Sequence, residues 1–304
     1  MHPIYTLHFA LSTFPFALYH AFMFITSLTN PRVKHVVALR DKKSAREESG
    51  LMLIEGFEEL SLALECGVKP HLLFFCPEIF RKGTDHELKQ RIAATGAELI
   101  ETTRAVFEKI AYRDGPDGWL AVVDRPDFGL ERFEGSQGLN AGKVEAALLV
   151  VAEAVEKPGN FGAMLRTCDA AGVTGFISCD PIADLSNPNI VRASVGTLFS
   201  VPVAEASNEI TLRWLRNRGI KVVATTPNPG PDGALPLDFT QANLIQPVAI
   251  LVGTEKYGLS DFWLNNADIR VRIPMLGRVN SLNVATSAAL LIYEAVKQRL
   301  NKIN

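Results

Sequence analysis

Three short stretches in the C-terminal half concentrate the residues able to do chemistry. Asn160-Phe-Gly162-Ala-Met-Leu-Arg166-Thr167 joins an amide to a guanidinium, and Gly253-Thr-Glu255-Lys-Tyr-Gly258 brackets a carboxylate with glycines. Ile273-Pro-Met275-Leu-Gly277 then runs on to Ser281-Leu282-Asn283-Val284. Glycine lets backbone come close to a ligand, and arginine is a cation at every working pH. The last of the six histidines is His86. A Ser-His-Asp triad, a His-ligated metal and a His general base are therefore excluded where these stretches lie. Cys66, Cys76, Cys168 and Cys179 form no C-x-x-C pair, which argues against zinc or a disulfide framework and suits a reducing cytoplasm. There is no G-x-G-x-x-G and no Walker lysine loop, so dinucleotide and nucleoside triphosphate sites lack their fingerprints. The nearest approach to a nucleophile elbow, Arg192-Ala-Ser-Val-Gly196, has no histidine downstream. Each residue also has a plain reading: Arg166 as a solvated charge, Glu255 as a loop cap, and Ile273, Met275 and Leu282 as core.

The elements that must position these stretches are strands. Apolar runs at Ala147–Ala152, Gly175–Cys179, Lys221–Thr225, Val248–Gly253 and Ile269–Ile273 alternate with helical patterns near 161–171, 189–195, 208–218 and 260–266. A long last helix follows, over about 282–300. Near-continuous apolar strands between helices imply a mostly parallel sheet covered on both faces, and such sheets bind ligands at the carboxyl ends of their strands. All three chemical stretches follow strands.

The chain of 304 residues is long enough for two domains, and 47% hydrophobic against 21% charged residues marks it as globular. A first α/β unit is expected at 27–125, with strands at Leu51–Ile54, His71–Cys76, Ala97–Ile100 and Trp119–Val123. The Gly-rich polar stretch 126–143 reads as a linker, and 144–304 as the second domain. Residues 1–26 carry no charge and read as a hydrophobic leader upstream of a natural start at Met23. A membrane segment and ordinary buried structure are the other readings. With a net charge of −2, any nucleic-acid partner needs a local patch. Arg32, Lys34, Arg40, Lys42, Lys43 and Arg46, against the single acid Asp41, supply one.

The three stretches, in this order and each after a strand, resemble the motifs of the SpoU-type (TrmH-like) RNA ribose 2′-O-methyltransferases of the SPOUT superfamily. The resemblance rests on Asn160, Gly162, Arg166 and Thr167, on Gly253, Glu255 and Gly258, and on Ile273-Pro-Met275 with Ser281–Val284. It extends through Ile190–Gly196, the Asn30-Pro-Arg-Val-Lys opening and Ile54-Glu-Gly56, covering residues 27 to 300. It implies an α/β catalytic domain with a C-terminal trefoil knot, preceded by a small α/β RNA-binding domain like that of certain ribosomal proteins. It also implies S-adenosyl-L-methionine held by Gly253, Ile273 and Leu282, with Leu251 and Met275 nearby, and no metal. Arg166 then takes the acceptor phosphate and the developing alkoxide. Asn160 and Ser281 orient Arg166 or the ribose, Glu255 holds the second motif or faces the sulfonium, and Asn283 binds main chain. A cytoplasmic homodimer packing the last helix (Leu282, Ala285, Ala288, Ala289, Ile292, Ala295) and Trp263 is expected, with 23S ribosomal RNA as substrate. A tRNA substrate and a non-catalytic RNA-binding member are the alternatives, and the intact Arg166, Asn160 and Ser281–Asn283 set speaks against the last.

Overall fold

The computed structural model describes residues 23–81, 86–135, 147–254, 256–278 and 281–303. Its first sheet is built from β1 (Met23–Ile25), β2 (Leu51–Glu55), β3 (Leu72–Phe75), β4 (Glu98–Thr102) and β5 (Trp119–Asp124). With these come α1 (Pro31–Asp41), α2 (Lys43–Ser49), α3 (Phe57–Glu65), α4 (His86–Ala94) and α5 (Arg104–Ile110). The sheet order is β1-β4-β3-β5-β2, with β5 antiparallel to both of its neighbours. Asn30 caps α1 by accepting from the Arg32 N–H at 2.8 Å, and Pro31 occupies the first helical position, where no N–H is needed.

The second sheet holds β6 (Leu148–Glu153), β7 (Gly175–Cys179), β8 (Val203–Ala206), β9 (Lys221–Thr225), β10 (Leu237–Asp238), β11 (Val248–Val252) and β12 (Ile269–Arg272). Its helices are α6 (Pro158–Ala170), α7 (Pro188–Ala193), α8 (Thr197–Ser200), α9 (Asn208–Asn217), α10 (Asp261–Asn266) and α11 (Val284–Ile303). Every pairing is parallel, in the order β10-β12-β9-β11-β6-β7-β8. Every residue of β6, β7 and β11 is buried, as strands covered on both faces require. The period of two splits β6 cleanly. Leu148, Val150 and Ala152 join the core under α6 and α11, while Leu149 and Val151 join the core holding Trp214 and Trp263. The chain runs outward through β7 and β8 and then returns to the other side of β6. The crevice between the carboxyl ends of β6 and β11 is thus the topological switch point, where ligands collect in open parallel sheets.

Several expectations change. Met23–Ile25, counted in the leader, is an edge strand paired to β4, with Ile25 buried; residues 1–22 lie outside the described residues. The first part of the expected linker is folded. Phe128, Leu130 and Phe133 are buried, and the Phe133 ring lies 5.5 Å from that of Trp214. Three apolar residues among charged ones carry little periodic signal, yet they are enough to pin this segment. β8 and β10, four and two residues long, were not expected. Among the described residues, no helix is long and apolar enough to cross a membrane.

Candidate active site

Asn160 sits in the first turn of α6, whose Pro158 fixes the helix start beside the carboxyl end of β6. Its amide is nearly buried, at 9% exposure. Asn283 caps α11, its Oδ1 accepting from the Ala285 N–H at 2.9 Å, while its Nδ2 donates to Asn160 Oδ1 at 3.0 Å. First and third motifs, 123 residues apart, therefore meet through one amide–amide bond. Gly162 is small for a packing reason: a Cβ there would lie 2.3 Å from the carbonyl carbon of Ala193, so α6 and α7 are pressed backbone to side. One turn further on, Arg166 is exposed, and among the described residues no side chain or carbonyl takes its guanidinium. A cation presented this way on a rigid helix suits an anionic partner from outside.

The second motif is a closed loop. Thr254 and Gly258 exchange backbone hydrogen bonds at 3.0 and 2.9 Å, with Gly258 at φ +72°. A Cβ on Gly253 would lie 2.1 Å from the Gly258 carbonyl, so only glycine closes it. Glu255 lies outside the described residues. Past β12, Ile273 and Met275 are half-buried, Leu276 is 97% exposed, and Leu282 and Ser281 are exposed. The segment past β12, at the same carboxyl end of the sheet as Gly253, thus keeps apolar side chains exposed.

Leu251, expected near the cofactor, lies in the sheet's core. Its side chain is fully buried in the core with Trp263 and its backbone pairs with β6 and β9, leaving it no surface for a ligand. The basic patch also divides. Arg46 is buried, with its guanidinium on Asp184, and Arg40 donates to the Lys109 and Ala111 carbonyls at 2.7 and 2.9 Å, so neither is free for phosphate. Arg32 pairs with Glu98 at 2.7 Å on the surface. Lys34, Lys42 and Lys43 remain exposed.

Sequence reasoning missed Glu153, the last residue of β6. It is buried and accepts from Ser260 N at 2.8 Å, Ser260 Oγ at 2.5 Å and Asn208 Nδ2 at 2.9 Å. Asn208 Oδ1 in turn accepts from Trp263 Nε1 at 2.6 Å. This network ties the second-motif loop to β6 and α9. Its one signal in the sequence is an acid ending a wholly apolar run, and such an acid must be satisfied when buried. The buried thiols do not compete as nucleophiles: burial pushes Cys179 up to about 12 and Cys168 higher still, keeping both protonated. No group of three or more His, Cys, Asp or Glu that could hold a metal occurs among the described residues.

A parallel α/β sheet whose carboxyl end presents an exposed arginine, an amide pair and exposed apolar side chains, among the described residues, is able to take an anionic ligand. The chain belongs to the SpoU rRNA methylase family: residues 147–293 match that family's model, and residues 30–121 match the MRM3-like substrate binding domain. A 23S rRNA (uridine(2479)-2′-O)-methyltransferase of Streptomyces viridochromogenes is 30% identical over 90% of this chain and 91% of its own length. The AdoMet-bound rRNA methyltransferase from Sinorhizobium meliloti superposes with a TM-score of 0.77 at 31% identity, covering 90% of this chain and 97% of that one. A tRNA (guanosine(18)-2′-O)-methyltransferase of Thermus thermophilus is 37% identical, over 50% of this chain and 76% of its own.

Proposed function

We propose that the protein transfers a methyl group from S-adenosyl-L-methionine to a ribose 2′-hydroxyl of 23S ribosomal RNA. One observation carries the reading: the Asn160–Asn283 bond brings the arginine-bearing helix against the third motif. Gly253, Ile273, Met275 and Leu282 would hold the cofactor, which supplies an electrophilic methyl on a sulfonium and calls for no metal. Arg166 binds the phosphate next to the target ribose and stabilises the oxygen as its proton passes to an oxygen of that phosphate. Asn160, held by Asn283, fixes the helix turn that aims Arg166, and the exposed Ser281 hydroxyl orients the ribose. Glu255 holds the second-motif loop. Residues 27–125 hold the RNA, with Lys34, Lys42, Lys43 and Arg32 on its phosphates, and 144–304 carry out the transfer.

The ribosomal substrate is supported by the extent of likeness: the rRNA-acting relative matches across both units, the tRNA-acting one across half the chain. The tRNA reading is kept for that 37% identity over half of the chain. A C-terminal knot belongs to the same reading, in which β12 lies outside β9 while α11 packs back on β6, β11 and α6. A cytoplasmic homodimer belongs to the same reading, but its surface shifts. Ala285, Ala288, Ile292, Ala295 and Trp263 are buried within the subunit, whereas Leu290, Tyr293 and Leu300 form an exposed stripe on α11. Purified protein with tritiated cofactor should label 23S transcripts at a 2′-oxygen without added metal. Labelling of tRNA instead would replace the substrate, and labelling of neither would overturn the reading.

A further inference from the structure

Helix α7 is held at both ends by the first unit. At its leading end, Asp184 lies in the loop from β7, and Arg46 of α2 donates to its Oδ2 through Nη2 at 2.5 Å and Nε at 3.0 Å. Side-chain exposure is 3% for Arg46 and 8% for Asp184, and the partners are 138 residues apart. Further hydrogen bonds hold both partners. Asp184 Oδ1 accepts from the Ser186 backbone and hydroxyl, and Arg46 Nη1 donates to the Leu39 carbonyl that ends α1. At the trailing end, Gly196 adopts φ +81° and lies against the backbone of α3, where a Cβ would come 3.0 Å from the Glu59 carbonyl oxygen. Val195 beside it sits at φ +52°, a conformation a β-branched residue takes only where packing imposes it. Between these two grips, Ala193 presses on Gly162 of α6, one turn before Arg166.

We propose that α7 is a strut between the RNA-holding unit and the catalytic helix, and that Arg46 and Asp184 are positioning residues that fix its leading end. Arg46 would otherwise count with the phosphate-binding cations. Its burial instead gives it the task of setting where RNA held by the first unit meets Arg166. The inference rests on the RNA methyltransferase reading.

The test uses Arg46→Met, Asp184→Asn and the double variant in the full chain. Each single change strands a buried partner and lowers the melting temperature, while the double leaves no unpaired buried charge and recovers part of it. The positioning role predicts that the double variant keeps a KM for a 23S rRNA fragment raised about ten-fold or more, because small displacements of a remote grip misplace the reacting groups. Cofactor Kd stays within about two-fold, since its site lies beyond α6. A double variant with wild-type KM, or one losing cofactor affinity in step, overturns the proposal. Arg46→Lys, which keeps the charge but loses the fork, should fall between wild type and Arg46→Met in KM. Should the wild type methylate no RNA, the functional reading fails by itself and solution scattering judges the strut. A larger radius of gyration for the double variant supports it, and an unchanged one overturns it.

Discussion

Arg166 and Asn283 divide the work at the smallest scale, and the two can be separated by mutation. Among the described residues no side chain or carbonyl takes the Arg166 guanidinium, so its loss should leave the fold and the cofactor site intact. Arg166→Ala is expected to cut methylation by about 100-fold or more, the scale of losing one preorganised charge at a developing oxyanion. Calorimetry should find cofactor affinity changed by less than about three-fold; joint loss of both would make Arg166 structural. Asn283 has two roles, as the cap of α11 and the tether of Asn160. Asp caps as well as Asn but has no proton for Asn160, whereas Ala does neither. Asn283→Asp and Asn283→Ala should therefore lose methylation equally, with Ala less stable by about 1 kcal/mol more in denaturant melts. The motif residues were legible because residue type, spacing and a preceding strand occurred together three times. Glu153 and Arg46 were not, because what they do depends on partners 107 and 138 residues away. Nothing in a local window distinguishes a cation that faces RNA from one that faces Asp184.

At the scale of elements, close approach of backbones matters more than helix propensity. Gly162→Ala should gain about 1 kcal/mol of propensity in the middle of α6. It also drives a Cβ to 2.3 Å from the Ala193 backbone, which no rotamer can relieve. Overpacking of this kind costs about 1–3 kcal/mol, so the variant should melt lower, not higher, and lose methylation as α7 is pushed off α6. A melting temperature at or above wild type would show that α7 yields freely. The long apolar strands and α6, α9 and α11 could be read from periodicity, since burial on both faces or one leaves a plain pattern. β1, β8 and β10 could not, because strands of three, four and two residues take their stability from the neighbour they pair with. The small-residue face of α11 likewise reads the same whether it meets its own sheet or a second subunit, and here it meets the sheet.

For the whole molecule, the junction between the units has a defined pH signature. Burial alone would push the Asp184 carboxyl up, but hydrogen bonds from Ser186 and Arg46, with the Arg46 charge, outweigh it and hold the group below its ordinary 3.8. A carboxyl lowered on folding contributes stability that is fully present above its unfolded value and lost as pH falls through its folded one. The difference in unfolding free energy between wild type and Asp184→Asn should therefore stay flat from neutral pH down to about pH 4 and shrink below it. A difference that already shrinks near pH 6 would mean the pair is not formed as described. On the proposed function the division of labour is simple: one unit would offer cations and a surface for RNA, and the other a parallel sheet whose carboxyl end would hold the cofactor beside Arg166. The most direct test is a map of ribose 2′-O-methylation across 23S ribosomal RNA from cells carrying the wild-type protein, lacking it, or carrying only Arg166→Ala. The expected result is one site methylated with the wild type and bare in the other two; identical maps in all three would contradict the assignment of this protein as the methylating enzyme.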